Sequence, residues 1–147
     1  MAVLSLVNRG GSSRSFVIDR ANVHNVLPIM ERNIKAEAHL ITDEHGMYRK
    51  IGPAFASHNA VFHGAGEYVR GSIHTNTVEG YFSIFKRGMR GVYQWCAEKH
   101  LHRYLAEFDF RYSNREALGC NDADRSDCLL RGIVGKRLTY QTASARA

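Results

Sequence analysis

The sequence predicts one mixed α/β domain, and three observations lead there. Short β-prone runs fall in the amino-terminal half, at Ala2 to Val7, Ser15 to Ile18, Ala38 to Thr42 and Ser57 to His63. Two later stretches, His74 to Gly88 and Ala97 to Tyr112, repeat their apolar residues at helical intervals. No shift of composition divides the 147 residues, whose 44% hydrophobic content suffices for one real core. The order, a hairpin followed by single strands and helices, is not a uniform βα alternation. No GxGxxG or GxxxxGK[ST] loop follows a strand, so the sequence does not support a nucleotide cofactor.

Each element has a local cause. Ala2 to Val7 and Ser15 to Ile18 flank Arg9-Gly10-Gly11-Ser12, a turn sequence, and read as a hairpin. From Asn22 to Ile34 the apolar residues Val23, Val26, Leu27, Met30 and Ile34 mark a helix that Pro28 is expected to kink or delay. Ala38 to Thr42 is a brief strand with Asp43 at its carboxyl end, where active-site groups of α/β sheets emerge. Glu44 to Ile51 reads as a short helix stopped by Gly52-Pro53. After the strand at Ser57 to His63, glycines at 64, 66 and 71 make a loop that delivers the central helix. Gly88 and Gly91 loosen the end of that helix. Leu101, Tyr104, Leu105, Phe108 and Tyr112 then form the apolar stripe of the next one. A short helix follows around Asp124 to Val134, and Gln141 to Ala147 reads as a disordered tail.

Composition narrows the partners. Twenty Lys and Arg against 14 Asp and Glu give a formal charge of +6, which favours a polyanion such as nucleic acid. Lys86, Arg87, Arg90, Lys99, Arg103, Arg111 and Arg115 concentrate that charge on the two strongest helix candidates. Cys96, Cys120 and Cys128 form no CxxC pair, so neither a disulfide framework nor a zinc knuckle is indicated, and a reducing cytoplasm is the expected compartment. No basic n-region precedes the apolar start and no run of about 18 apolar residues occurs, so neither export nor a membrane span is expected.

The chain is organised around HTNTVEGYFSIFKRG, His74 to Gly88. Glu79 and Lys86 stand seven positions apart, close to two helical turns, and project from one side with Ser83 and Arg90; Asn76 joins them. Val78, Phe82, Phe85 and Met89 supply the opposing face expected to anchor the helix to a core. Alone, this pattern more often describes a surface helix with a solvated Glu/Lys pair.

Other stretches shift the balance. NRGG (Asn8 to Gly11), ITDEHGMYRKIG (Ile41 to Gly52), HNAVFHGAGEYVRGSIHTNTVEGYFSIFKRGMRGVY (His58 to Tyr93) and KHLHRYLAEFDFRYSNR (Lys99 to Arg115) together resemble bacterial insertion-sequence transposases of the DDE type, most closely the ISXO-like transposase domain. The similarity runs from near Val3 to about Tyr140. It implies a ribonuclease-H-like catalytic domain over residues 1–140, which cuts double-stranded DNA at transposon ends and joins the freed 3′ hydroxyl to a target. It also implies two Mg²⁺ or Mn²⁺ ions held by carboxylates. By the resemblance, Asp43 is the second acidic ligand and Glu79 the third, with Asn76 in the signature and Lys86 as a DNA contact. Arg87 and Arg90 extend that contact as a basic patch. The chemistry is consistent: in-line phosphoryl transfer needs hard cations on the attacking and leaving oxygens, and oxygen ligands suit them.

The family's first catalytic aspartate lies on a strand upstream of the segment matching Met1 to Asp19. The chain is therefore expected to lack that strand and its acid, to be inactive alone, and to form homo-oligomers or mixed oligomers with an intact transposase. Asp19 is the one early acid at a strand end, but it matches a different strand of the family. Two alternatives from other classes are a non-catalytic DNA-binding remnant that modulates an intact transposase and a basic RNA-binding domain. His58, His63, His74, His100 and His102 with Cys96 lack the close ligand pairs of a zinc site. Tyr81, Tyr93, Trp95 and Tyr104, set among arginines, are candidates for base stacking or for core packing, with Tyr104 assigned to packing.

Overall fold

The computed structural model describes residues 1–62, 64, 69–70 and 73–136. His63, the loop glycines Gly66 and Gly71, and the tail from Gln141 lie outside the described residues. The chain divides into two compact units, Met1–Ser113 and Asn114–Ala147.

The first unit is mixed α/β. Strands β1 (Ala2–Val7) and β2 (Ser13–Ile18) pair antiparallel, Ala2 opposite Ile18 and Val7 opposite Ser13, as the AVLSLV and SRSFVI runs predict. Gly10 turns the chain with φ +70°, a conformation glycine adopts without steric cost. Helix α1 (Val23–Asn33) starts at Asn22, whose side chain accepts the Asn25 N–H at 2.9 Å. Pro28 sits inside α1 without delaying its start or ending it. Strand β3 (His39–Asp43) lies parallel to β4 (Ser57–Val61), with Asp43 opposite Val61. Parallel pairing demands a crossover, here the short helix α2 (Tyr48–Ile51) and a tight turn at Gly52–Ala54. Two-residue strands β5 (Val69–Arg70) and β6 (Ile73–His74) lead into α3 (Asn76–Gly88), a π-helical turn (Met89–Tyr93) and α4 (Leu101–Ser113).

Two clusters hold the unit together. Leu4, Ile18, Val26, Met30, Ile51 and Phe55 bring the hairpin, α1 and the crossover into one core. Tyr81, Phe85 and Leu105 are buried where α3 meets α4. The Tyr81 and Tyr112 rings stand 5.4 Å apart and those of Phe85 and Phe108 5.1 Å apart, both edge to face. Gly88 permits this approach, since a Cβ there would stand 2.3 Å from Cζ of Phe108.

The buried face of α3 differs from the expected stripe. Phe85 is buried as expected, but its buried partner is Tyr81, while Val78, Phe82 and Met89 are half-buried. The cause is polar. The Tyr81 hydroxyl donates to Oδ1 of Asp109 at 2.7 Å, and Asp109 also accepts from Ser13 Oγ at 2.9 Å, Ser15 Oγ at 2.9 Å and the Ser15 N–H at 2.6 Å. This carboxylate fastens β2, α3 and α4 together. Burial above all, and then the Asp109 carboxylate, push the Tyr81 hydroxyl pKa up, so it stays protonated as a donor.

In the second unit, α5 (Asp122–Ile133) begins two residues before the expected Asp124. A capping box sets the start: Asn121 Oδ1 accepts the Asp124 N–H at 2.9 Å, and Asp124 Oδ2 accepts the Asn121 N–H at 3.2 Å.

Candidate functional site

Within the first unit, an open cleft of about 1370 Å³ runs along β1 and β3 and beneath the start of α3. Consecutive residues of both strands line it, from Val3 to Arg9 and from Lys35 to Asp43 except Ala36. β1 pairs only with β2 and β3 only with β4 among the described residues, so each strand has a second edge that no described strand occupies.

Asp43 and Glu79 both line this cleft, although 36 positions separate them in the sequence. Asp43 is the last residue of β3 and is exposed; its Oδ1 accepts the His45 N–H at 3.1 Å, which turns the chain away from the strand. Glu79 lies in the first turn of α3, exposed, where the helix dipole favours a negative charge. The buried Thr75 hydroxyl donates to Glu79 Oε1, and the Glu79 N–H donates back to the Thr75 carbonyl at 3.0 Å. Thr75 thus orients the carboxylate, a role the motif HTNTVEG does not announce. Asn76, the first residue of α3, is exposed and is not among the residues lining the cleft.

The floor beside Asp43 is hydrogen-bonded. Thr42 Oγ1 donates to the Asp43 carbonyl at 2.8 Å, and His58 Nε2 lies 2.8 Å from the same hydroxyl. Since that hydroxyl has one proton, His58 must donate, which places the neutral ring's proton on Nε2. Burial lowers the His58 pKa, which favours the neutral ring. Tyr48 lines the cleft as well, its hydroxyl pKa pushed up to about 12 by burial first and by the Asp43 charge second. Nδ1 of His74, also on the cleft, is buried without a hydrogen-bond partner among the described residues.

A second, shallower depression of about 510 Å³ lies on α3 and the turn after it, lined by Ser83, Lys86, Arg87, Arg90 and Gly91. The three cations are exposed, and none pairs with a carboxylate among the described residues. Ser83 follows Glu79 by four residues and Lys86 by seven, so the depression begins about 6 Å along the helix from Glu79 and its first cation stands about 10 Å along it.

The donors at the cleft fit a hard divalent cation in kind, being carboxylate oxygens rather than sulfur or imidazole. Asp43 and Glu79 supply two, Glu37 lines the same cleft, and no group of three or more His, Cys, Asp or Glu side chains suited to a metal occurs among the described residues. Asp109, the acid within LAEFDF, points to β2 and Tyr81. Its place on the apolar stripe between Leu105 and Tyr112 was the signal of a structural role. No described helix is long and apolar enough to cross a membrane.

The family model for the ISXO2-like transposase domain matches residues 1–113. The match coincides with the first compact unit, Met1–Ser113, and does not extend to Tyr140. No curated protein and no solved structure matches the chain.

Proposed function

The chain belongs to the family of ISXO2-like transposase domains, and from that premise we propose that its first unit is a metal-dependent DNA cleavage and strand-transfer domain of ribonuclease-H-like fold. Membership associates it with DNA transposition and with DNA as partner. The finer reading rests on one observation: Asp43 and Glu79, on a strand end and a helix start, line the same cleft. Their oxygens would hold Mg²⁺ or Mn²⁺, which supplies the charge that activates an attacking hydroxyl and stabilises a leaving oxygen. Thr75 orients Glu79, and Asn76, three residues earlier, offers an amide to substrate phosphate. Lys86, Arg87 and Arg90 hold duplex phosphates on the neighbouring depression. The order of hairpin, helix, parallel pair and acid-bearing helix supports the ribonuclease-H-like assignment.

Two carboxylates hold a pair of ions less firmly than three, so we expect the 147-residue chain alone to bind metal and DNA and to transfer strands poorly. Calorimetric titration with Mn²⁺ and a strand-transfer assay test this together. Asp43→Ala and Glu79→Ala should each abolish metal binding, and retention of binding in both variants would remove these residues from the metal. Robust transfer by the chain, abolished by Asp43→Ala, would show that a further acid completes the site. Salt-sensitive DNA binding without metal-dependent cleavage would support the alternative, a DNA-binding remnant that modulates an intact transposase.

A further inference from the structure

The four aromatic side chains set among arginines separate sharply in the fold. Tyr81 is buried against Asp109. Tyr93 packs on Tyr104 at 4.7 Å between ring centroids and donates its hydroxyl to Glu107. Trp95 alone turns outward, 76% exposed, with Val92 at 74%. Its position is built by the backbone. Gln94 adopts φ +58°, a conformation rare for a residue with a Cβ, and the Trp95 N–H closes on the Tyr93 carbonyl at 2.6 Å. The segment that Tyr93 anchors to α4 therefore holds a large flat apolar ring in water, against its hydration preference.

Charge indicates what covers that ring. From Gly80 to Ala97 the chain carries Lys86, Arg87 and Arg90 and no carboxylate. Trp95 follows Arg90 by five residues, a reach of at most roughly 18 Å even if fully extended, so a strand whose phosphates engage Arg90 passes within a few nucleotides of the indole. A positive groove beside a free aromatic face is the combination that single-stranded nucleic acid recognises, the cations tracking phosphates and the ring taking a base. An intact duplex offers phosphates but no free base face.

We propose that Trp95 is a stacking platform for an unpaired base, so that the Lys86, Arg87, Arg90 surface prefers single-stranded or frayed DNA over continuous duplex. This rests on the DNA-binding reading above and adds a preference within it.

Trp95 is the only tryptophan of the chain, so its emission reports on this residue alone. The full chain would be titrated with a dye-labelled single strand of about twelve thymidines and with a duplex closed by loops at both ends, following dye anisotropy and indole emission together. Single-strand binding should quench the emission. Trp95→Ala should weaken single-strand binding about tenfold, within the roughly five- to 150-fold that removal of one stacked base brings, and should leave the closed duplex and the salt slope unchanged. Trp95→Phe should retain most of the affinity. Anisotropy that reports binding while emission stays constant, or an alanine variant that binds the single strand like wild type, overturns the inference. Flat anisotropy with both DNAs overturns the DNA reading itself and the inference with it.

Discussion

Asp109 accepts from Ser13, Ser15 and Tyr81, so its charge is committed to holding α4 on β2. Asp109→Ala would leave these donors without their acceptor in a partly buried site, at a cost of about 1–3 kcal/mol in urea unfolding. Metal and DNA binding by the folded fraction should be unchanged, which distinguishes this acid from Asp43 and Glu79. His58 carries a second prediction. Burial lowers its pKa from 6.5, so the unfolded chain binds the proton more readily than the folded one. Its contribution to stability is complete above pH 6.5 and is lost as the pH falls through the folded value. Urea midpoints should therefore decline on acidification below that pH, and His58→Gln should flatten this part of the profile. Tyr48 acts in the opposite sense: its raised pKa contributes below pH 10, and that contribution disappears as the pH rises towards about 12. The place of Asp43 at the end of β3 was legible at this scale, because HLIT is a β-prone run and Asp43 follows it directly. The network around His58 was not, because Thr42 and His58 meet only once β3 and β4 pair.

At the scale of elements, the hairpin was legible from alternating β-prone runs around Arg9-Gly10-Gly11, and α4 from its Leu101, Leu105, Phe108, Tyr112 stripe. Both depend on neighbours in sequence. The face of α3 depends on partners far away: Tyr81 displaces the expected stripe because Asp109, on α4, accepts from its hydroxyl while also accepting from Ser15 on β2. The approach of α3 and α4 at Gly88 is equally non-local. Gly88→Ala would drive a methyl into the Phe108 ring, which is wedged by Phe85 and Tyr93, and the overpacking should cost about 1–3 kcal/mol by thermal or urea unfolding. The start of α3 gives a different test. Thr75→Val keeps volume but removes the hydroxyl that orients Glu79, so Mn²⁺ affinity should fall severalfold by calorimetry, while Thr75→Ser keeps it.

For the whole molecule, the cleft is bordered by two small sheets whose strands pair on one side only among the described residues, and two-stranded pairs are marginal in isolation. Stability must therefore come from what covers them, chiefly the core beneath the hairpin and the packing of α3 and α4. All of these lie within Met1–Ser113. A chain ending at Ser113 should then unfold as one cooperative transition with nearly the urea midpoint of the full chain. It retains the Ser113 hydroxyl that accepts the Ser13 N–H at 3.1 Å, the last tie of α4 to the hairpin. The proposed DNA surface lies in the same unit, so the slope of log affinity against log salt should also survive the truncation. Lys86→Ala with Arg90→Ala should reduce that slope by up to about one unit for each phosphate that is no longer neutralised, in the shortened chain as in the full one. A slope that fell on truncation alone would assign part of the phosphate binding to the second unit, where Arg115, Arg125 and Arg131 are the cations to test next.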